Sequence, residues 1–214
     1  MKGLIALFVH NPTCSSDSGN GIMRALGDAY SFKIFGKKPV NPEFFDDVDI
    51  VAVPGGLGDA RRFRTVMRHN ADPIRRFVAD GGRYLGICMG AYWAGHHYLD
   101  ILRGVRTTQY ITRPGRDTHR PHPKGLEVSW EGKREVMYFY DGPSMVGAGG
   151  RFRTVARYPN GDPMAIMQRG IGLIGCHPEA EKWWYREHSW MPRHWHNYRH
   201  HELLRQFVDE LMLR

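Results

Sequence analysis

Cysteine is scarce in this sequence: only Cys14, Cys88 and Cys176 occur among 214 residues. An odd, sparse set does not build a disulfide framework. It is the usage expected of a reducing, cytoplasmic setting. Long apolar runs are also missing. No stretch of eighteen or more apolar residues occurs, so no membrane span and no membrane partner are expected. The first residues, MKGLIALFVHNP, carry one Lys and a short apolar stretch without a small-residue cleavage pattern, and read as a buried strand rather than a signal peptide. Internal repeats and low-complexity linkers are lacking too, which leaves residues 1–214 as one expected domain.

Acidic residues are outnumbered. Thirty Lys and Arg against 22 Asp and Glu give a formal charge of +8. Such an excess attracts nucleic acid or acidic partners when it is concentrated. Here the basic residues are scattered and no nucleic-acid motif accompanies them, which suits a solvated basic surface.

What is present is an alternation of strand and helix signals. Leu4–His10, Ser31–Phe35, Asp49–Val53 and Arg83–Ile87 read as strands, mostly short apolar runs. Between them lie helix patterns: Ile22–Tyr30 with Ser18 or Asn20 as cap, Asp59–His69, and Pro73–Ala79 capped by Asp72. A further helix follows Cys88, from Met89 to about Tyr98. This order implies a parallel sheet with right-handed crossovers. Val105–Lys124, with four Arg, two His and three Pro, reads as a long loop. Leu126–Trp130, Glu135–Tyr140, Thr154–Tyr158 and Pro163–Gln168 suggest added hairpins. Ile171–Cys176 is a last apolar strand and His201–Met212 a terminal amphipathic helix. The fold class expected is three-layer, doubly wound α/β (flavodoxin-like), mostly parallel, with antiparallel hairpins.

Chemistry concentrates in three places. In Tyr84-Leu-Gly-Ile-Cys-Met-Gly-Ala-Tyr92 a strand runs into Cys88 and a helix starts at once, with Gly86 and Gly90 giving room at a crowded elbow. Exposed N–H groups and the helix dipole at such a position favour a thiolate, and the Met89 N–H can donate to an oxyanion. A small buried core cysteine is the competing reading. In Gly172-Leu-Ile-Gly-Cys-His-Pro-Glu179 the imidazole of His177 ends an apolar strand, and Glu179 can turn back to orient it. Pro54-Gly55-Gly56 ends the third strand, where Gly55 and Gly56 bring backbone N–H groups to a ligand for the rest of an oxyanion hole.

Together these motifs resemble the class I glutamine amidotransferases, with their Pro-Gly-Gly loop, Gly-x-Cys-x-Gly elbow and late His-Pro-Glu. The closer likeness is to the N-terminal, amidotransferase-like domain of eukaryotic-type biotin–protein ligases and its stand-alone relatives. It rests on Val53-Pro-Gly-Gly56, Ile74-Arg-x-Phe-Val78, Gly81 through Tyr92, Gly142-Pro143 and His177-Pro-Glu179. The resemblance implies a Cys88-His177-Glu179 triad acting on a carbon–nitrogen bond of a small-molecule amide, without a cofactor, and a synthase or ligase as partner. Glutaminases of the class place a Gln four residues after the nucleophile; Tyr92 stands there, which argues against glutamine. No ligase catalytic domain accompanies the motifs, so biotin transfer is not expected. A binding or regulatory module that keeps the elbow without turnover is the alternative.

Tyr92, Gly90, Gly142, Cys14 and Ser15 are the expected substrate-binding positions. Cys14 and Ser15 belong there because loops after parallel strands converge on the ligand crevice; Cys176 should pack on the opposite side of its strand from His177. The segment from Trp183 to His201 holds four Trp, two Tyr and five His. It reads as an aromatic flap over the site. Metal binding through His194 and His196, or His200 and His201, lacks a supporting carboxylate or Cys cluster, and a nucleotide- or nucleic-acid-associated role rests on charge and aromatics alone.

Overall fold

A computed structural model describes residues 2–147 and 150–213. Its centre is a parallel set of five strands: β1 (Gly3–Phe8), β2 (Tyr30–Phe35), β3 (Ile50–Val53), β4 (Arg83–Ile87) and, much later in the chain, β11 (Ile171–Ile174). Their order is β2-β1-β3-β4-β11. Side chains alternate between two buried faces. Ile5, Leu7, Ile50, Ala52, Leu85 and Ile87 join one core, while Ala6, Phe8, Val51, Val53 and Tyr84 join the other. Burial on both faces is why these strands read as continuous apolar runs.

Helices supply the outer layers. On the first face lie α1 (Ser16–Leu26), through Ile22 and Leu26, and the terminal helix α5 (Arg199–Leu213), through Leu204, Phe207, Val208 and Leu211. On the second face lie α2 (Phe63–Val66), α3 (Ala71–Ala79) and α4 (Met89–Trp93). The antiparallel part extends the same sheet beyond β11 in the order β10-β9-β6-β7: β6 (Lys124–Trp130), β7 (Lys133–Phe139), β9 (Arg153–Arg157) and β10 (Pro163–Gln168). The architecture is therefore three-layer α/β with a parallel centre and added hairpins, as the sequence implied.

Several expected elements are placed differently. The first helix begins at Ser16, not Ile22, and its cap is Ser15, whose side chain accepts from the Ser18 N–H. Ser18 thus sits inside the helix. The loop expected over Val105–Lys124 contains a strand, β5 (Val105–Gln109), which pairs with β8 (Pro143–Gly147) in a separate two-stranded sheet. Its polar side chains hid it, because the strand is half exposed. The helix expected over Asp59–His69 is only a short 3₁₀ turn, Ala60–Arg62, and α2. Asp72 does not cap α3; the N-cap is Asn70, whose amide instead holds the carbonyls of Gly36 and Lys38. The elbow helix stops at Trp93, short of Tyr98.

Candidate functional site

Strands β1, β3, β4 and β11 are neighbours and parallel, so the loops that leave their C-terminal ends gather at one edge. Cys88 emerges from β4 with φ 49° and ψ −101°, outside the regions an L-residue prefers. Such backbone costs on the order of 1–3 kcal/mol and persists only where its surroundings hold it. They do: the Cys88 N–H donates to the Ile174 carbonyl at 2.8 Å. Gly86 and Gly90 let the helix press close, since a Cβ on Gly86 would strike the Gly90 backbone and one on Gly90 would strike the Val53 carbonyl. Gly90 is thus a packing position rather than a pocket wall. The Cys88 thiol is only 4% exposed and donates to the Tyr140 carbonyl at 3.5 Å.

His177 stands three residues beyond the end of β11. Its N–H donates to the Tyr138 carbonyl at 2.8 Å, because the hairpin half of the sheet brings the end of β7 over this edge. Its Nδ1 lies 2.9 Å from Glu179 Oε1, and Glu179 is fully buried. The same Oε1 accepts from the Ser18 hydroxyl at 2.6 Å, and Ser18 Oγ in turn accepts from the Gly55 N–H at 3.0 Å. The His177 ring has Tyr138 and Trp184 edge-on at centroid distances of 5.8 and 5.5 Å.

Gly55 links the two halves. A Cβ there would collide with His177 Cε1 and lie 3.1 Å from its Nδ1 and 3.2 Å from Cys88 Cβ. The imidazole and the Cys88 side chain therefore flank one bare Cα. Burial alone would lower the His177 pKa, but the Glu179 carboxylate and the Cys88 sulfur outweigh it and raise it to about 10. Burial pushes the thiols of Cys14 and Cys176 well up.

Two cavities open on either side of this pair. One, of about 770 Å³, is lined by Cys88, Met89, Tyr92, Gln109 and Asp141 among others. The other, of about 440 Å³, is lined by His177, Ser15, Tyr138, Trp183 and Trp184 among others. Gly56 and Tyr140 border both. Of the expected positions, Tyr92 faces the first cavity, with its hydroxyl donating to the Asp141 carbonyl at 3.1 Å, and Ser15 faces the second.

Others lie elsewhere. Cys14 is wholly buried in the core and borders neither cavity, because the loop after β1 folds back through paired His10–Cys14 backbone bonds. Gly142 is pressed against the Gly175 backbone, not a cavity. The Gly55 N–H is already bonded to Ser18. Cys176 is core, as expected. The aromatic segment packs Trp184, Tyr185 and Met191 against Tyr138 beside His177, so it does border the site. Sequence reasoning missed Ser18, Tyr138, Tyr140, Gln109 and Asp141. A hydroxyl inside a Ser-Ser-Asp-Ser run, Gln109 in the hidden strand and the residues at and just beyond the end of β7 carry no mark in one sequence.

Among the described residues, no group of three or more His, Cys, Asp or Glu is placed to hold a metal ion. Among the same residues, no helix is long and apolar enough to cross a membrane.

With this geometry in hand, the molecule has a class I glutamine amidotransferase-like fold. A family model described as the N-terminal region of biotin-protein ligase matches residues 13–99, a span that includes Cys88 and the Gly55-Gly56 loop but not His177 or Glu179. A solved glutamine amidotransferase is similar at 18% identity and TM-score 0.66, covering 99% of this chain and 100% of its own. PurLQS from Thermotoga maritima is similar at 15% identity and TM-score 0.65, over 99% and 100%. A putative GMP synthase subunit from Thermoplasma acidophilum is similar at 15% identity and TM-score 0.64, over 99% and 95%. No curated protein sequence matches.

Proposed function

We propose that this chain is a cysteine-nucleophile enzyme that cleaves the carbon–nitrogen bond of an amide. One observation carries the reading: the imidazole bonded to Glu179 and the elbow cysteine flank the same bare Gly55 Cα. In the reaction, Cys88 Sγ attacks the carbonyl carbon and His177 holds the proton. The new oxyanion takes the N–H groups of Gly56 and Met89. Gly55 is excluded from that role, since its N–H is committed to Ser18. The C–N bond then breaks as His177 delivers its proton to the leaving nitrogen, and water hydrolyses the thioester. Glu179 orients His177 throughout.

The similarity to a putative synthase subunit supports a synthase as acceptor of the nitrogen where the reaction is a transfer. Glutamine is a poor substrate in this reading. Tyr92 offers one hydroxyl, already bonded to Asp141, where an amide side chain would exchange donor and acceptor contacts with the substrate. The test is release of ammonia or amine from a panel of carboxamides that includes glutamine, against Cys88→Ala. Turnover of a non-glutamine amide, lost in Cys88→Ala, supports the reading. Robust glutaminase activity of the lone chain overturns the substrate assignment, and turnover unchanged in Cys88→Ala overturns the nucleophile.

A further inference from the structure

The two cavities divide the proposed reaction between them. Cys88 borders the larger one and His177 the smaller, with Tyr140 and Gly56 as the shared wall. In amide cleavage the acyl carbon bonds to the sulfur, while the leaving nitrogen takes the imidazole proton. The fragment that departs therefore has the His177 side available to it.

The chemistry of that side is distinct. Trp183, Trp184, Tyr138 and Tyr140 line it, and its carboxylates among the described residues are Asp17 and Glu187. Among the described residues no Lys or Arg lines it and His177 is its one basic side chain, although the chain as a whole carries +8. Neither Asp17 nor Glu187 is ion-paired among the described residues. Trp184 is 8% exposed, and its indole N–H has no partner. Two of the first N–H groups of α1, which opens here, are already taken. The Ser16 N–H is held by Asn11 at 2.8 Å and the Ser18 N–H by Ser15 at 3.1 Å. Aromatic faces and unpaired carboxylates in one recess are the means by which proteins hold organic cations.

We propose that the smaller cavity is the subsite for the leaving amine, and that it selects an amine whose far end carries a positive charge, such as a diamine or a lysine-type amine. This rests on the amide-cleaving reading above. The bonds balance: the C–S bond forms, the C–N bond breaks, and the proton on His177 leaves with the amine. The aromatic walls hold the alkyl spacer and share the cation with Glu187 and Asp17.

The probe is n-butylammonium, with n-butanol as its uncharged counterpart, read on the indole resonances of uniformly ¹⁵N-labelled protein at neutral pH. Butylammonium should move the Trp183 and Trp184 signals saturably, in both the unmodified chain and Cys88→Ser. Glu187→Gln should weaken it about threefold, and Asp17→Asn with Glu187→Gln about tenfold; both changes lie on exposed side chains, so the fold survives them. Equal binding of butanol, no shift at Trp183 and Trp184, or indifference to the double change each overturns the proposal. These readouts need no turnover. If Cys88 is not the nucleophile, the shifts persist; if the subsite is wrong, alkylation of Cys88 persists. The two failures are thereby told apart.

Discussion

Ser18 Oγ lies 2.6 Å from Glu179 Oε1, across 161 residues of sequence, and both side chains are fully buried. That contact ties the first helix to the loop after the last parallel strand. The fit is close: a Cβ on Gly21, one turn on, would strike the Glu179 carbonyl. Ser18 serves as a positioning residue, holding the carboxylate that holds His177 while accepting the Gly55 N–H.

Ser18→Ala should therefore cost stability and alignment together. It removes a hydrogen bond to a buried carboxylate and strands the Gly55 N–H, about 1–3 kcal/mol in all. Thermal unfolding checks the stability. The imidazole titration of His177, followed by NMR, checks the alignment, and a change there is something a merely structural role would leave in place.

Gly55→Ala should damage the site more than the fold. The added methyl must displace the His177 ring, which is the movable partner, and it sits against Cys88 Cβ as well. Alkylation of Cys88 by iodoacetamide at neutral pH should slow by about tenfold or more, with the far-ultraviolet circular dichroism unchanged. An unaltered rate would separate the imidazole from the thiol's reactivity.

How much of this was legible beforehand depended on burial. The central strands announced themselves because both faces are buried, so Leu4–His10 and Asp49–Val53 could be read from composition alone. The elbow was legible because a strand, a cysteine between glycines and a helix follow without a gap. β5 was not, since its half-exposed Arg106, Thr107, Thr108 and Gln109 imitate a loop, and its partner lies 34 to 42 residues on. Nor was the Ser18–Glu179 bond, which exists only once α1 crosses the sheet edge. Gly55, read as an oxyanion donor, turned out to be committed elsewhere for the same reason.

The histidines after Trp195 should make the aromatic segment acid-sensitive. His196, half-buried, and His200, buried, are stacked at 3.9 Å. Desolvation lowers their pKa values to about 2 and about 4, with His200 and His201 adding to it for His196, and Arg199 and His201 adding to it for His200 while Glu135 opposes it there. Arg199, bonded to Glu135, and the rings of Tyr185 and Trp195 complete the surroundings. Unfolded histidines take up protons near pH 6.5, whereas the folded ones resist. Stability from this cluster is thus full above about pH 6.5 and declines as pH falls towards 4. His196→Phe keeps the stack and removes one such group. Its unfolding midpoint should fall less than that of the unmodified chain between pH 6.5 and 4. An identical fall would place the acid sensitivity elsewhere.

Whether Cys88 is the nucleophile and His177 its base is read from the rate and site of alkylation by substoichiometric iodoacetamide, by peptide mass spectrometry on the unmodified chain and on His177→Gln. Cys88 borders an open cavity, while Cys14 and Cys176 are wholly buried with their thiol pKa values pushed up. Cys88 should be labelled first, and His177→Gln should slow its labelling at pH 7 by about tenfold or more. Labelling of Cys14 or Cys176 ahead of Cys88, or a Cys88 rate indifferent to the loss of His177, would contradict these roles.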